Sequence, residues 1–210
     1  MSKAILFLNG NIDIAFCQSY IQNNNISGLV YCTDGAYSKV RVSEFIAQKI
    51  DKVVGDFDSI VYYDSPLFHL DTNQDNTDFE KALEYMMTKD INEIMIFGAS
   101  GGEMDHFLSN MSIAKKYRNK LRLTFVDEYS KYFFISRKYT VENVKNKMLS
   151  VIPFPFATNI YYKGLEYNLA GGNLILGENT GSRNFAVKDN VDIEYETGDV
   201  ILFISHENYK

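Results

Sequence analysis

The sequence predicts an α/β domain over residues 1–130, followed by an all-β domain over residues 131–210. Three observations carry this. In the first part, short apolar runs alternate with amphipathic stretches of helical spacing. After about residue 127 the runs stay short and aromatic, with turn residues between them and no helical spacing. Acids and glycines of the first part fall directly after its apolar runs. Strands interleaved with helices require crossover connections, which gives a Rossmann-like, mostly parallel sheet covered on both faces.

Residues 4–8 read as a strand, and 13–22 as a helix with Ile14, Cys17, Tyr20 and Ile21 on one side. Residues 29–33, 52–54 and 67–70 read as further strands. A helix from 77 to about 89 has the strongest start signal. Thr77 and Glu80 have the spacing of a capping box, in which the hydroxyl takes one free N–H and the carboxylate reaches back to another. Ala82, Leu83, Tyr85 and Met86 continue its apolar face. Residues 93–97 read as a strand, 104–117 as a helix and 121–126 as a strand. In the second part, 132–135, 148–154, 159–162, 174–176, 191–195 and 200–205 read as strands. Turns at Gly171-Gly172, Asp189-Asn190 and Gly198-Asp199 separate them, the texture of a small antiparallel sandwich or barrel.

Composition narrows the function. A net charge of −6 argues against a broad nucleic-acid surface, which needs clustered Lys and Arg. No stretch approaches the roughly 20 apolar residues of a membrane span, and the apolar run at 4–8 is too short for a signal peptide. Cys17 and Cys32 form no C-x-x-C pair and no His/Cys cluster, so a zinc site is not expected. They read as reduced, buried thiols of a cytoplasmic protein.

In an open parallel sheet, ligands bind beyond the carboxyl ends of the strands. Asp34-Gly35-Ala36 follows 29–33 and reads as a turn. Gly55-Asp56-Phe57-Asp58-Ser59 follows 52–54, and Gln74-Asp75-Asn76-Thr77-Asp78 opens the capped helix. Gly98-Ala99-Ser100-Gly101-Gly102 follows 93–97, with Asp105 and His106 just inside the next helix. At least five carboxylates therefore meet at one sheet edge, where they would repel one another and call for a cation. Oxygen ligands without His or Cys suit magnesium. Asp56 and Asp58 have the alternate spacing that puts two carboxylates on one side of an extended segment. The glycine run lets backbone N–H groups approach an anion at the positive end of the following helix. It is neither a Gly-Lys-Ser/Thr nucleotide loop nor a G-x-G-x-x-G fingerprint.

These motifs in this order resemble the thiamine pyrophosphokinase family. Its Asp-Gly-Ala/Gly turn is similar to Asp34, Gly35 and Ala36. Its Gly-Asp-hydrophobic-Asp-Ser element is similar to Gly55, Asp56, Phe57, Asp58 and Ser59. Its Asp-x-Thr-Asp helix start is similar to Asp75, Thr77 and Asp78, preceded by Gln74. Its glycine turn and Asp-His pair are similar to Gly98, Gly101, Gly102, Asp105 and His106, with Asn110 a helical turn on. Residues 150–154 and 163–167 resemble its β domain.

The resemblance implies an N-terminal catalytic domain for ATP and Mg2+, with a C-terminal β-sandwich that binds thiamine and dimerises. It implies a homodimer with active sites between the α/β domain of one subunit and the β domain of the other. The implied reaction moves diphosphate from ATP to the thiamine hydroxyl and releases AMP. Asp56, Asp58, Asp75 and Asp78 would hold the metal, and Asp34 and Asp105 would complete the site or help orient the hydroxyl. Gln74, Thr77, His106 and the glycines would face nucleotide. Two positions depart from the pattern. Glu103 stands where the family usually has a phosphate-contacting Arg, and Arg183-Asn184 stands where it has Ser-Asn near thiamine. Arg183 is expected to supply the missing charge, and Asn184 to contact thiamine. The alternatives are a magnesium-dependent phosphotransferase with another acceptor and a non-enzymatic magnesium–nucleotide sensor.

Overall fold

The computed structural model describes residues 2–58 and 65–209. They form two compact units, Met1–Glu128 and Tyr129–Lys210.

The first unit is a mixed layer of strands and helices. Its strands are β1 (Ser2–Phe7), β2 (Leu29–Thr33), β3 (Ile50–Gly55), β4 (Phe68–Leu70), β5 (Ile91–Phe97) and β6 (Arg122–Val126). They pair in the order β4-β3-β2-β1-β5-β6, every pair parallel. The chain builds from β1 outward through β2, β3 and β4, then returns to β1's other side with β5. The order therefore reverses between β1 and β5, the place where parallel sheets leave a crevice at their carboxyl ends.

Helices α1 (Ile14–Asn23), α2 (Asp34–Val40), α3 (Glu44–Ala47), α4 (Asp78–Met87) and α5 (Met104–Tyr117) connect these strands. Asp13 caps α1 by accepting from Phe16 N, and Thr77 caps α4 by accepting from Glu80 N at 3.3 Å. Cys17 and Ile21 of α1 pack with Phe7, Val30, Cys32, Val53 and Phe97 of the strands. Both cysteines are free and buried, and burial pushes the Cys17 thiol up to about 12.

Three expectations change here. Asp34-Gly35-Ala36 is the first turn of α2 rather than a turn between elements. Helix α3, capped by Ser43 Oγ on Ile46 N, has no counterpart in the sequence pattern. The capping box at α4 is half formed. The Glu80 carboxylate accepts from Tyr117 Oη at 2.9 Å and pairs with Lys116 on α5. A buried carboxylate gains more from a charged donor than from one backbone N–H.

The second unit contains β7 (Ser130–Phe134), β8 (Lys138–Val141), β9 (Lys147–Lys163), β10 (Leu169–Ile175), β11 (Gly181–Phe185), β12 (Val191–Glu194) and β13 (Thr197–Asn208). All its pairings are antiparallel. The sequence pattern splits β9 into two strands, 148–154 and 159–162. The structure runs a single strand of 17 residues, because Phe156, Ala157 and Thr158 stay paired with Ile175, Gly198 and Thr197. Strand β9 is the hub, with β10, β11, β12 and β13 all bonded to it. Alternate residues of these strands, among them Leu149, Val151, Ile160, Val191, Ile193, Val200 and Leu202, form one buried core. Strands β8 and β11 were not expected.

Candidate active site

Strand β2 ends at Thr33 and delivers Asp34 into α2 with 1% of its surface exposed. Its carboxylate accepts from Gly35 N at 2.6 Å and from Phe57 N at 3.1 Å. A side chain at Gly55 would sit 2.8 Å from Asp34 Cγ, so glycine is the residue that fits beside this acid. Burial first, then the charges of Asp78 and Asp56, raise Asp34 to about 6, against the pull of its two N–H bonds.

Strand β3 delivers Asp56, Phe57 and Asp58. The segment is not extended. Phe57 has φ 63°, a left-handed turn unusual for a bulky residue. The bond from its N–H to Asp34 and an edge-on contact with Phe68 at 5.3 Å hold it there. Asp58 N points at Asp56 Oδ1, 3.4 Å away. The turn still gathers the acids. One carboxylate oxygen each from Asp34, Asp56 and Asp58 lie within 4.8 Å of one another. Ser59 lies outside the described residues.

Helix α4 brings the fourth acid and a cation. The Lys81 ammonium lies 3.1 Å from Asp56 Oδ2 and 3.1 Å from Asp78 Oδ1, with 2% of its side chain exposed. Gln74 Nε2 donates to the same Asp56 oxygen at 3.3 Å. The Lys81 bond holds Asp56 below the usual carboxylate range, and bonds to both acids raise Lys81 despite burial. Sequence reasoning missed Lys81. The available signal was a lysine three residues after Asp78, set among the apolar residues Phe79, Ala82 and Leu83. The expectation that the crowded acids need an external cation is therefore modified: an internal ammonium offsets part of their charge.

The glycine loop meets the loop after β1. Gly10 N donates to Gly98 O at 2.8 Å and Asn11 N to Ser100 O at 3.0 Å. Gly98, Gly101 and Gly102 have φ of 70°, 75° and 75°. A Cβ at Gly98 would lie 2.2 Å from Leu8 O. Asn110 ties α5 to the loop through Ala99 O at 3.0 Å.

The remaining expected residues are not among these three grouped acids. Asp75 is exposed, its N–H held by Asn73 Oδ1 at 2.9 Å. Asp105 is exposed and accepts from His106 N at 3.0 Å, turned onto its own helix start. His106 is exposed, with Nε2 3.6 Å from Glu103. Thr77 caps α4. In the second unit, Arg183 has φ 54° and its N–H donates to Ser150 Oγ. It lines a cavity of about 380 Å3 with Tyr129, Ser150, Phe203 and Tyr209. Asn184 is buried and its amide is committed to backbone: Oδ1 accepts from Tyr167 N and Phe185 N, and Nδ2 donates to Tyr167 O at 2.7 Å.

Parallel strands that end in carboxylates, next to a glycine loop opening a helix, define a site of the kind that handles phosphate groups. The family model described as "Thiamin pyrophosphokinase, catalytic domain" matches residues 19–125, and the chain belongs to this family. It is 28% identical over 163 residues to the thiamine pyrophosphokinase of Bacillus subtilis, covering 72% of this chain and 76% of that protein. Among solved structures, the Candida albicans thiamin pyrophosphokinase superposes with a TM-score of 0.80 at 17% identity, over 98% of this chain and 89% of the other. The Bacillus subtilis enzyme superposes at 0.79 and 21% identity, over 98% and 100%. These two likenesses carry the fold.

Proposed function

We propose that this chain transfers diphosphate from ATP to the hydroxyl of thiamine, giving thiamine diphosphate and AMP. The hydroxyl oxygen forms a bond to the β-phosphorus, its proton passes to solvent, and the bond from that phosphorus to the α–β bridging oxygen breaks, so that AMP leaves with that oxygen. The observation that carries this reading is the acid group Asp34, Asp56 and Asp58 at the strand ends of a member of this family. Phosphoryl-type transfer needs positioning and charge neutralisation more than covalent help.

The donor set fits Mg2+: hard carboxylate oxygens within 4.8 Å and no nitrogen or sulfur ligand among them. When bound there, chiefly on Asp56 and Asp58 with Asp78 beside them, the ion would offset phosphate charge. Asp34 commits both oxygens to backbone, so it fixes the turn that carries Asp56 and Asp58. Gln74 stands beside Asp56, where it orients that carboxylate and faces nucleotide. The N–H groups of 98–102 cradle phosphate, with Asp105 and His106 at the opening of α5. The acids also favour the fixed positive thiazolium of thiamine. Asn184 acts by holding the Tyr167 backbone beside the thiamine site.

In this reading the first unit is the Rossmann-like ATP and Mg2+ domain. The second is the β-sandwich that binds thiamine and forms a homodimer, with Arg183 supplying positive charge to nucleotide. The free, buried Cys17 and Cys32 support a reducing, cytoplasmic setting.

The test is a coupled AMP-release assay with ATP and thiamine, with and without Mg2+. Mg2+-dependent, thiamine-dependent AMP release is expected. Release only with another acceptor would make the chain a different phosphotransferase, and ATP binding without AMP release would make it a sensor. Light scattering on the purified chain tests the dimer. An unchanged ATP KM in Arg183→Ala would remove Arg183 from the nucleotide site.

A further inference from the structure

Lys81 is unusual for a lysine beside an acid group. Its side chain is 2% exposed, while those of its partners Asp56 and Asp78 are 19% and 37% exposed. A buried ammonium is tolerated only when paired and hydrogen-bonded. Here both partners come from the site itself, one from the turn after β3 and one from the first turn of α4. The cation thus reaches the cluster from the protein side. Asp56 is the shared member, because it pairs with Lys81 through Oδ2 and also belongs to the group with Asp34 and Asp58.

We propose that Lys81 is a built-in counter-cation of the acid site: it holds Asp56 and Asp78 together in the absence of a divalent ion and sets how tightly such an ion is held. This rests on the metal reading above. The carboxylates of Asp34, Asp56, Asp58 and Asp78 would otherwise repel one another, and an ammonium 3.1 Å from Asp56 and from Asp78 removes part of that repulsion. The same positive charge opposes an incoming divalent cation, so bare-site affinity is restrained until a polyphosphate brings further negative charge. Lys81 would couple metal retention to the presence of nucleotide. It is a positioning residue rather than a catalytic one.

The experiment measures Mn2+ binding to the full chain, with no nucleotide, by calorimetry and by the paramagnetic signal of free Mn2+. Wild type, Lys81→Met and Lys81→Arg are compared, with melting temperatures recorded in EDTA and in Mn2+. Lys81→Met is expected to bind Mn2+ about tenfold more tightly or better. It should melt lower than wild type in EDTA and recover most of the loss in Mn2+. Lys81→Arg should keep wild-type affinity. A lysine that merely packs would lower the melting temperature in both media and leave the Mn2+ affinity alone. Unchanged or weakened binding in Lys81→Met, with wild type binding normally, overturns the inference. Absence of saturable Mn2+ binding in both wild type and Lys81→Met, with ATP as well as without it, removes the metal reading, and the inference with it. If Lys81→Met is not recovered folded, Lys81→Gln, which keeps length and polarity without charge, takes its place.

Discussion

The Asp34 carboxyl occupies the space a side chain at Gly55 would fill: a Cβ there would stand 2.8 Å from Asp34 Cγ and 3.1 Å from Oδ2. The end of β3 and the acid that follows β2 are thus fitted to each other. Gly55→Ala must push Asp34 off its bonds to Gly35 and Phe57, and with it the turn carrying Asp56 and Asp58. Overpacking of this kind costs about 1–3 kcal/mol, and a displacement of about 1 Å costs on the order of 100-fold in rate. Thermal melts and steady-state AMP release on Gly55→Ala check both.

Asp34 itself gives a pH dependence. Its folded-state value, about 6, lies above the ordinary value of 3.8, so the folded chain holds this proton more tightly than the unfolded chain. The stability contribution is fully present below about 4, falls as pH rises through about 6, and is flat above that. In EDTA, the wild-type urea midpoint should carry this fall, and Asp34→Asn should lack it. The slope is the readout, because asparagine cannot accept both N–H bonds and loses stability at every pH.

Asp56 takes part in the metal group, in the Lys81 pair and in the Gln74 contact. Asp56→Asn keeps the shape and removes the charge. Its AMP release should fall by about 100-fold or more, the scale of losing one directed electrostatic partner in a transition state. Near-normal turnover would remove Asp56 from the metal site.

Tyr117 stabilises without touching the chemistry. Its hydroxyl lies 2.9 Å from Glu80 Oε1 and 2.8 Å from Glu84 Oε1, linking α5 to α4. Tyr117→Phe leaves the buried Glu80 with one donor fewer, a loss of about 1–3 kcal/mol. That corresponds to roughly 2–4 °C of melting temperature per kcal/mol at this size. The ATP KM should not move, since Asp78 and Lys81 are held by bonds of their own.

Much of the first unit is legible in the sequence because its signals are local. Apolar runs placed β2 at its observed bounds, and α5 spans the residues its spacing marks. Thr77 announced α4 through a cap that depends on Thr77 and Glu80 alone. The second unit was less legible. Pro153 and Pro155 break the pattern inside β9, but neighbouring strands keep the backbone paired through the break. Strand β11 holds Arg183 with a positive φ, and no local pattern of side chains forecasts that.

The sequence by itself determined the strands and helices α1, α4 and α5 of the first unit and which segments after the strands carry acids and glycines, because both depend on spacing along a few residues. Only the tertiary structure decided which acids meet. Asp34, Asp56 and Asp58 converge through a left-handed turn at Phe57, while Asp75 and Asp105 lie exposed outside the group. Lys81 joins the group because α4 lies against β3, and its charge can be buried only where Asp56 from another segment meets it. Contacts between residues 25 positions apart, as Asp56 and Lys81 are, are set by how elements pack and leave no trace in local spacing.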